Sequence, residues 1–415
     1  MKSRDALAFD RTVPVLIIKV ARYPLHHGGL GAIRSLGRVG VPVYAVTEDR
    51  LTPAAVSRYL RGRFVAPTTG FEDDSRLLEI FSGIGRRLGR RAIALPTDDE
   101  AAVFIAEHAG ELAQWFISPA VPRDLPRRLS SKRGLHDTCR RLGIPTPRAV
   151  FPASRTDVLE FAACAPFPVV AKNVDPWSRH RVPVVASSTI ITTSEELVKA
   201  ASSWPDPPSV MLQEYIPSAS AEDWIFHAYC GGKPDGSVSF TGVKYRSWPP
   251  AAGVTSYARI VGNERLADLS TELCRMLGFR GIVDLDWRFD RRDRQYKLLD
   301  FNPRLGAQFR LFETDAGIDV VRAMHLDLTG RTVPSGTAIA GRGFVVETLD
   351  VPARIAYYRR GASTARVPHA RGKTELAWFA RDDPFPALVA ATRSATEFAG
   401  TLRPHRSART HRDPP

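Results

Sequence analysis

Two neighbouring segments, GIVDLDWRFD (281–290) and YKLLDFNPR (296–304), place acids, an amide and guanidinium groups at alternate positions. Strand side chains point to opposite faces in turn. Asp284, Asp286, Arg288 and Asp290 therefore share one face, and Leu285, Trp287 and Phe289 the other, as in a half-buried strand. In the second segment Asp300 and Asn302 share a face, joined by Arg304 if the chain stays extended. The charged RRDRQ between them reads as a turn. A hairpin folded symmetrically about Asp293 sets Asp286 opposite Asp300 and Asp284 opposite Asn302. Carboxylates opposed in this way, with Cβ atoms roughly 5 Å apart, repel. A hard divalent cation offsets that repulsion through oxygen ligands and typically combines one or two carboxylates with substrate phosphates. Arg288 or Arg304 is the structural alternative.

The elements that must position this hairpin are legible by pattern. PVLIIKV (14–20) reads as a buried strand, HHGGLGAIRSLGRVG as a glycine turn entering a helix, and VPVYAVTE as a second strand. RAIALPTDDEAAVF repeats the unit, with Thr97 and Glu100 as a capping box. Residues 1–125 are thus expected to form an open α/β domain with a parallel sheet. Prolines at 119, 122 and 126 mark a change, followed by a helix in SSKRGLHDTCRRLG. FPVVAKN, VMLQEYI, DWIFHAYC and SVSFTGVKYR then join the hairpin as strand candidates, with helical stretches at 194–203 and 264–277. That succession predicts an α+β domain with antiparallel sheets over 126–335. A small C-terminal region (336–398) and a disordered basic tail (399–415) complete the expected organisation.

The chain has 415 residues and a net charge of +14, but its 58 basic residues are scattered, which argues against a nucleic-acid surface. Four widely spaced cysteines suggest neither a zinc site nor a disulfide framework, and so free thiols in a reducing compartment. PVLIIKV is too short to span a bilayer, so a cytoplasmic location is expected.

Lysine is scarce, which draws notice to Lys132 at a helix start, Lys172 at a strand end and Lys244 in GVKYR. QEYIPSASAED leads from a strand through a proline turn to Glu222 and Asp223; such a hinge can bond an adenine edge while an acid holds ribose hydroxyls. In this order, Lys132, Lys172, QEYI, Glu222, the Asp286 strand and DFNPR resemble the ATP-grasp superfamily, among its carboligases and carboxylate–amine ligases related to biotin carboxylase and D-aspartate ligase. LPTDDEAAVF is similar to part of the family's N-terminal (pre-ATP-grasp) domain, LGIPTP to its linker and RDDPFP to part of its C-terminal region.

The resemblance implies ATP as nucleotide and magnesium as its ion, with two ions expected and manganese an acceptable substitute. It implies that Lys132 and Lys172 contact phosphates, that Glu214, Tyr215 and Ile216 line adenine, and that Glu222 binds ribose. It further implies that Asp286, Asp300 and Asn302 hold the metal, while Arg304 with Lys244 or Arg246 steadies the transferred phosphoryl group. Two departures from the family pattern stand out: aspartates replace the usual glutamates, and the loop NVDPWSRHRVPVVASS after Lys172 lacks phosphate-covering glycines. Ser178, Arg179 and Ser187 are candidates to replace them. GLGAIR lacks the third glycine of a dinucleotide fingerprint, which disfavours a nicotinamide site. The expected reaction is ATP-dependent joining of a small-molecule carboxylate to an amine through an acyl phosphate, in a possible homodimer. The alternatives are carboxylation through carboxyphosphate and a non-catalytic nucleotide- or nucleic-acid-binding protein.

Overall fold

The computed structural model describes residues 9–175, 183–185, 188–232, 236–250, 253–359 and 372–401. PVLIIKV forms β1 (Val15–Ile18), buried along its whole length. Such a run of apolar, mostly β-branched residues suits a strand covered on both faces. It centres a five-stranded sheet ordered β3-β2-β1-β4-β5, with β2 at Val43–Thr47, β3 at Leu60–Val65, β4 at Ala92–Pro96 and β5 at Phe116–Ile117. Every pairing in it is parallel, as the strand–helix–strand reading requires. Helices α1 (His27–Gly37), α2 (Asp74–Leu88), α3 (Asp99–Glu107) and the short α4 (Ala109–Leu112) connect the strands.

Two local expectations change. The glycines of HHGGLG lie inside α1 rather than in a turn before it. They admit a second segment: a Cβ on Gly28 would sit 2.9 Å from the Cα of Ala307. Helix α3 is capped by Asp98, which accepts from Ala101 N at 2.8 Å, while the Thr97 hydroxyl donates to the Ile18 carbonyl at 3.1 Å. Asp98 also accepts the amides of Val20 and Ala21 at 2.8 and 2.9 Å, so one carboxylate ties the ends of β1 and β4 together.

After α5 (Leu125–Ser130) and α6 (Lys132–Leu142), a four-stranded antiparallel sheet runs β6-β9-β7-β8. Its strands are β6 (Ala149–Val150), β7 (Val169–Asn173), β8 (Thr189–Ile191) and β9 (Val210–Glu214). Helices α7 (Arg155–Cys164) and α8 (Ser194–Ala201) cover it through Val158, Leu197 and Ala201. The third sheet has seven strands, ordered β14-β13-β10-β11-β12-β15-β16. Its central members are β10 (Ala221–Cys230), β11 (Val238–Trp248), β12 (Val254–Ile260), β13 (Gly281–Asp290) and β14 (Gln295–Asn302).

One face of this sheet buries Trp224, Phe226, Leu285 and Trp287 in a core shared with α6 and with α9 (Glu264–Met276). On the other face Ile225, Tyr229 and Ile282 join a core with Leu30 of α1 and Met324 of α10 (Val320–Leu328). Further along that second face Ile225 gives way to Asp223, and Asp284 to Asp286 and Arg288, where a cleft replaces the core.

Residues beyond 335 extend this architecture. β15 (Gly343–Val345) and β16 (Thr374–Leu376) add to the large sheet, their mutual pairing being parallel in an otherwise antiparallel sheet. α11 (Glu347–Arg359) follows β15, and α12 (Phe385–Thr401) ends the described chain, so most of the expected basic tail lies outside the described residues. The RDDPFP segment latches onto α1: Arg34 Nε lies 2.9 Å from Asp383 Oδ2, both side chains buried. Breaking such a pair costs roughly 3–5 kcal/mol, because one charge is left buried alone. Among the described residues no helix is long and apolar enough to cross a membrane.

Candidate active site

β13 and β14 place Asp286 opposite Asp300 and Asp284 opposite Asn302. The hairpin is not symmetric about Asp293, however: Asp290 faces Gln295 and Trp287 faces Leu298, with a register shift between Asp286 and Trp287. The tight turn uses Arg294 at φ 60°, and the bulge at Leu299 then brings the acids face to face. Bulges of this kind re-aim side chains beside functional sites.

Ammonium groups from two other elements offset the repulsion. Lys132, first residue of α6, contacts Asp300 Oδ1, and Lys244 of β11 donates to Asp286 Oδ1 at 2.5 Å. Arg288 is occupied by Asp223 at 2.9 Å, and Arg304 by Asp99 at 3.2 Å and Asn302 Oδ1 at 3.0 Å. Neither arginine hydrogen-bonds the Asp286–Asp300 pair. Lys172, on β7, lines the same cleft, and Lys132 N donates to Val174 O at 2.8 Å, fastening the start of α6 to the chain that leaves β7.

The cleft lies between the two antiparallel sheets, with Val170 and Ile190 on one side, Lys244, Asp286 and Asp300 on the other, and Tyr215 and Ile216 at the hinge. Glu214 lines it as well, with its carboxylate accepting from Arg292 at 2.6 Å. Glu222 does not line the cleft. Its carboxylate accepts from Trp224 Nε1 at 3.0 Å and Arg291 Nη2 at 2.8 Å, and Asp223 turns into the cleft in its place. The cause is strand parity: Asp223 pairs with Arg288, on the face of Asp286, whereas Glu222 pairs with Phe289. Arg246 lines the cleft but is gripped by Asp350 at 2.8 and 2.9 Å. Ser178, Arg179 and Ser187 lie outside the described residues.

Burial and neighbouring charges tune the groups. Burial pulls the Lys172 ammonium down to about 8. It also opposes the charge on Lys244, but the Asp286 and Asp284 carboxylates outweigh it and raise that pKa. Asp284 is pushed up to about 7 by burial and by the charge of Asp286. Clustered perturbation of this sort favours a functional site over a structural one. The turn after Arg304 is close-fitting: a Cβ on Gly306 would lie 2.3 Å from His227 Nε2 and 2.4 Å from Asp284 Oδ2. The buried His227 carries no motif signal in the sequence, being a lone imidazole in the largely apolar DWIFHAYC.

Among the described residues no three His, Cys, Asp or Glu side chains form a ready-made metal cage. Two carboxylates and an amide oxygen fit a hard cation whose remaining ligands are phosphate oxygens.

No family model matches the chain. D-aspartate ligase from Enterococcus faecium is 22% identical over 297 residues, covering 68% of this chain and 70% of that protein. Among solved structures, N5-carboxyaminoimidazole synthetase from Staphylococcus aureus superposes with a TM-score of 0.58 at 11% identity, covering 79% of this chain and 80% of its own. L-amino acid ligase from Bacillus licheniformis gives 0.57 at 15% identity, covering 80% and 76%. Biotin carboxylase from Campylobacter jejuni gives 0.56 at 13% identity, covering 80% and 74%. The chain has the ATP-grasp fold that the order of its lysines, hinge and DFNPR segment implies.

Proposed function

We propose that the protein is an ADP-forming ligase that activates a substrate carboxylate as an acyl phosphate and joins it to an amine. The observation that carries this reading is the Asp286–Asp300 pair, opposed across a hairpin and met by lysines from α6 and β11 in a cleft that ends at the hinge. Its relatives by sequence and fold include two amino-acid ligases.

The Glu214–Ile216 backbone receives the adenine edge, and Asp223, rather than Glu222, holds the ribose. Lys132 and Lys172 bind phosphate oxygens. Asp286, Asp300 and Asn302 would hold a divalent ion, magnesium or manganese, which would supply neutralisation of phosphate charge. Arg304, set among Asp99, Asn302 and Asp284, orients the acid whose oxygen attacks the γ-phosphorus. ADP leaves as the new P–O bond forms. Lys244 then stabilises charge on the transferred group, while Arg246, locked to Asp350, sets the shape of the wall. The amine attacks the acyl carbon, phosphate departs with the C–O electron pair, and the amine gives up a proton. Positioning and electrostatic stabilisation account for nearly all catalysis in such transfers.

The test is ADP release with magnesium and ATP against acids and amines, singly and in pairs, with mass spectrometry of active mixtures. A product at the summed mass less water supports the reading. ADP release driven by bicarbonate alone, or by no acid at all, contradicts it.

A further inference from the structure

A second cavity, of about 370 Å3, lies between the N-terminal domain and the large sheet, away from the nucleotide cleft. Its walls are small and apolar: Ala94 and Leu95 of β4, Ala102 and Ile105 of α3, and Phe116 of β5. Its inner end is closed by the buried Leu305 and Met324, whereas Arg91, Ala113 and Arg280 at its mouth are exposed. Packed interiors leave few voids, and apolar walls hold water poorly, so a void of this size and polarity suits an apolar occupant. Its volume lies toward the small end of ligand sites.

The chain that leaves β14, where Asp300 lines the cleft, runs on into this second cavity. Pro303, Arg304 and Leu305 line the cavity, and the same Arg304 reaches Asn302 at 3.0 Å and Asp99 at 3.2 Å. Arg304 donates to Asp99, the Leu305 carbonyl and Asn302, and its Nη1 lies 3.7 Å from Asp284 Oδ2, beyond hydrogen-bond reach, so among the described residues two of its five N–H groups make no hydrogen bond. An apolar chamber that adjoins a guanidinium at the end of the acid-bearing hairpin matches one kind of small molecule: an apolar tail carrying a carboxylate.

We infer that this cavity takes the apolar body of the carboxylate substrate, a medium-chain alkanoic or arylalkanoic acid, with its carboxylate at Arg304. The inference rests on the ligase reading and deepens it by naming the acid's class. Arg91 and Arg280 at the mouth make this entrance attractive to anions.

The experiment titrates octanoate and hydrocinnamate, with acetate and aspartate as controls, into the full-length protein holding magnesium and ADP, using calorimetry, and then measures ADP release from ATP with each acid. The variants are Ala106→Trp, which fills the chamber from α3, and Ala113→Trp, which narrows its mouth at an exposed position where folding is not at risk. The wild type is expected to bind octanoate at least about tenfold more tightly than acetate. Both variants are expected to weaken octanoate about tenfold or more, leaving ADP affinity unchanged and removing octanoate-stimulated ADP release. Octanoate that fails to bind, binds the variants as well as the wild type, or binds without stimulating ADP release overturns the inference. The two readings fail separately: aspartate driving ADP release with octanoate inert overturns this inference alone, whereas ADP release with no acid at all overturns the ligase reading.

Discussion

The hairpin β13–β14 carries a charge cluster at each end, and the two are built differently. At the turn end, buried Asp290 accepts from Arg292 at 2.7 Å and Lys297 at 2.9 Å, both from the same hairpin. These cations hold its carboxyl far below the usual range. At the open end, Asp286 and Asp300 meet Lys244 and Lys132, which arrive from β11 and α6 and face a cleft. A cation supplied locally fixes a fold. A cation supplied from elsewhere, across a cleft that a ligand can enter, is free to exchange its partner. On the proposed reading the same residue types serve folding at one end and chemistry at the other.

The difference is broken most strongly at the open end. Asp300→Asn or Asp286→Asn is expected to lower ADP formation by about a thousandfold while shifting unfolding free energy by less than about 1 kcal/mol. Steady-state kinetics and urea denaturation on the same preparations check both halves. At the turn end the pattern inverts: Asp290→Ala removes the buried carboxylate that Arg292 and Lys297 share, though Arg292 keeps Glu214 and Lys297 keeps Asp293, so it costs about 2 kcal/mol of stability and leaves turnover per folded molecule unchanged.

A finer contrast lies between adjacent acids. Asp223→Asn is expected to raise the KM for ATP about tenfold, and Glu222→Gln to change it less than twofold, because only Asp223 turns into the cleft. The reverse order would return the ribose role to Glu222.

The smallest effect concerns pH. On the proposed reading Lys172 binds phosphate in its protonated form, and burial has brought its pKa down to about 8. Phosphate contact raises that pKa, so binding takes up a proton once the free group has lost its own. Nucleotide affinity should therefore be flat below pH 8 and fall above it, approaching tenfold per unit, and Lys172→Arg should flatten the profile. A wild-type affinity unchanged up to pH 10 would remove Lys172 from the phosphate site.

The sequence exposes what depends on short-range periodicity. The opposition of Asp286 to Asp300 follows from alternation and turn length, even though the expected centre of symmetry differs from the true turn and the bulge makes up the difference. Lys132 and Lys172 stand out by scarcity and by position at element ends. Choosing between Glu222 and Asp223 requires knowing which face of their strand meets the cleft, and two adjacent acids at the strand's start give no local reason to prefer either. The latch of Asp383 on Arg34 joins residues at opposite ends of the chain, and the cavity beside Arg304 is formed by segments from α3, β5 and β13 that meet only in the folded protein. Contacts of that range leave no local signature.

On the proposed reading, Asp286 and Asp300 exchange the lysines that meet them for a divalent ion that arrives with the nucleotide. Electron paramagnetic resonance of manganese, titrated into wild type and the Asp286→Asn/Asp300→Asn double variant with and without ADP, tests it most directly. The expected result is tight manganese binding to wild type that requires ADP and disappears in the double variant. Equal binding by the double variant, or binding to wild type that is indifferent to nucleotide, would contradict it.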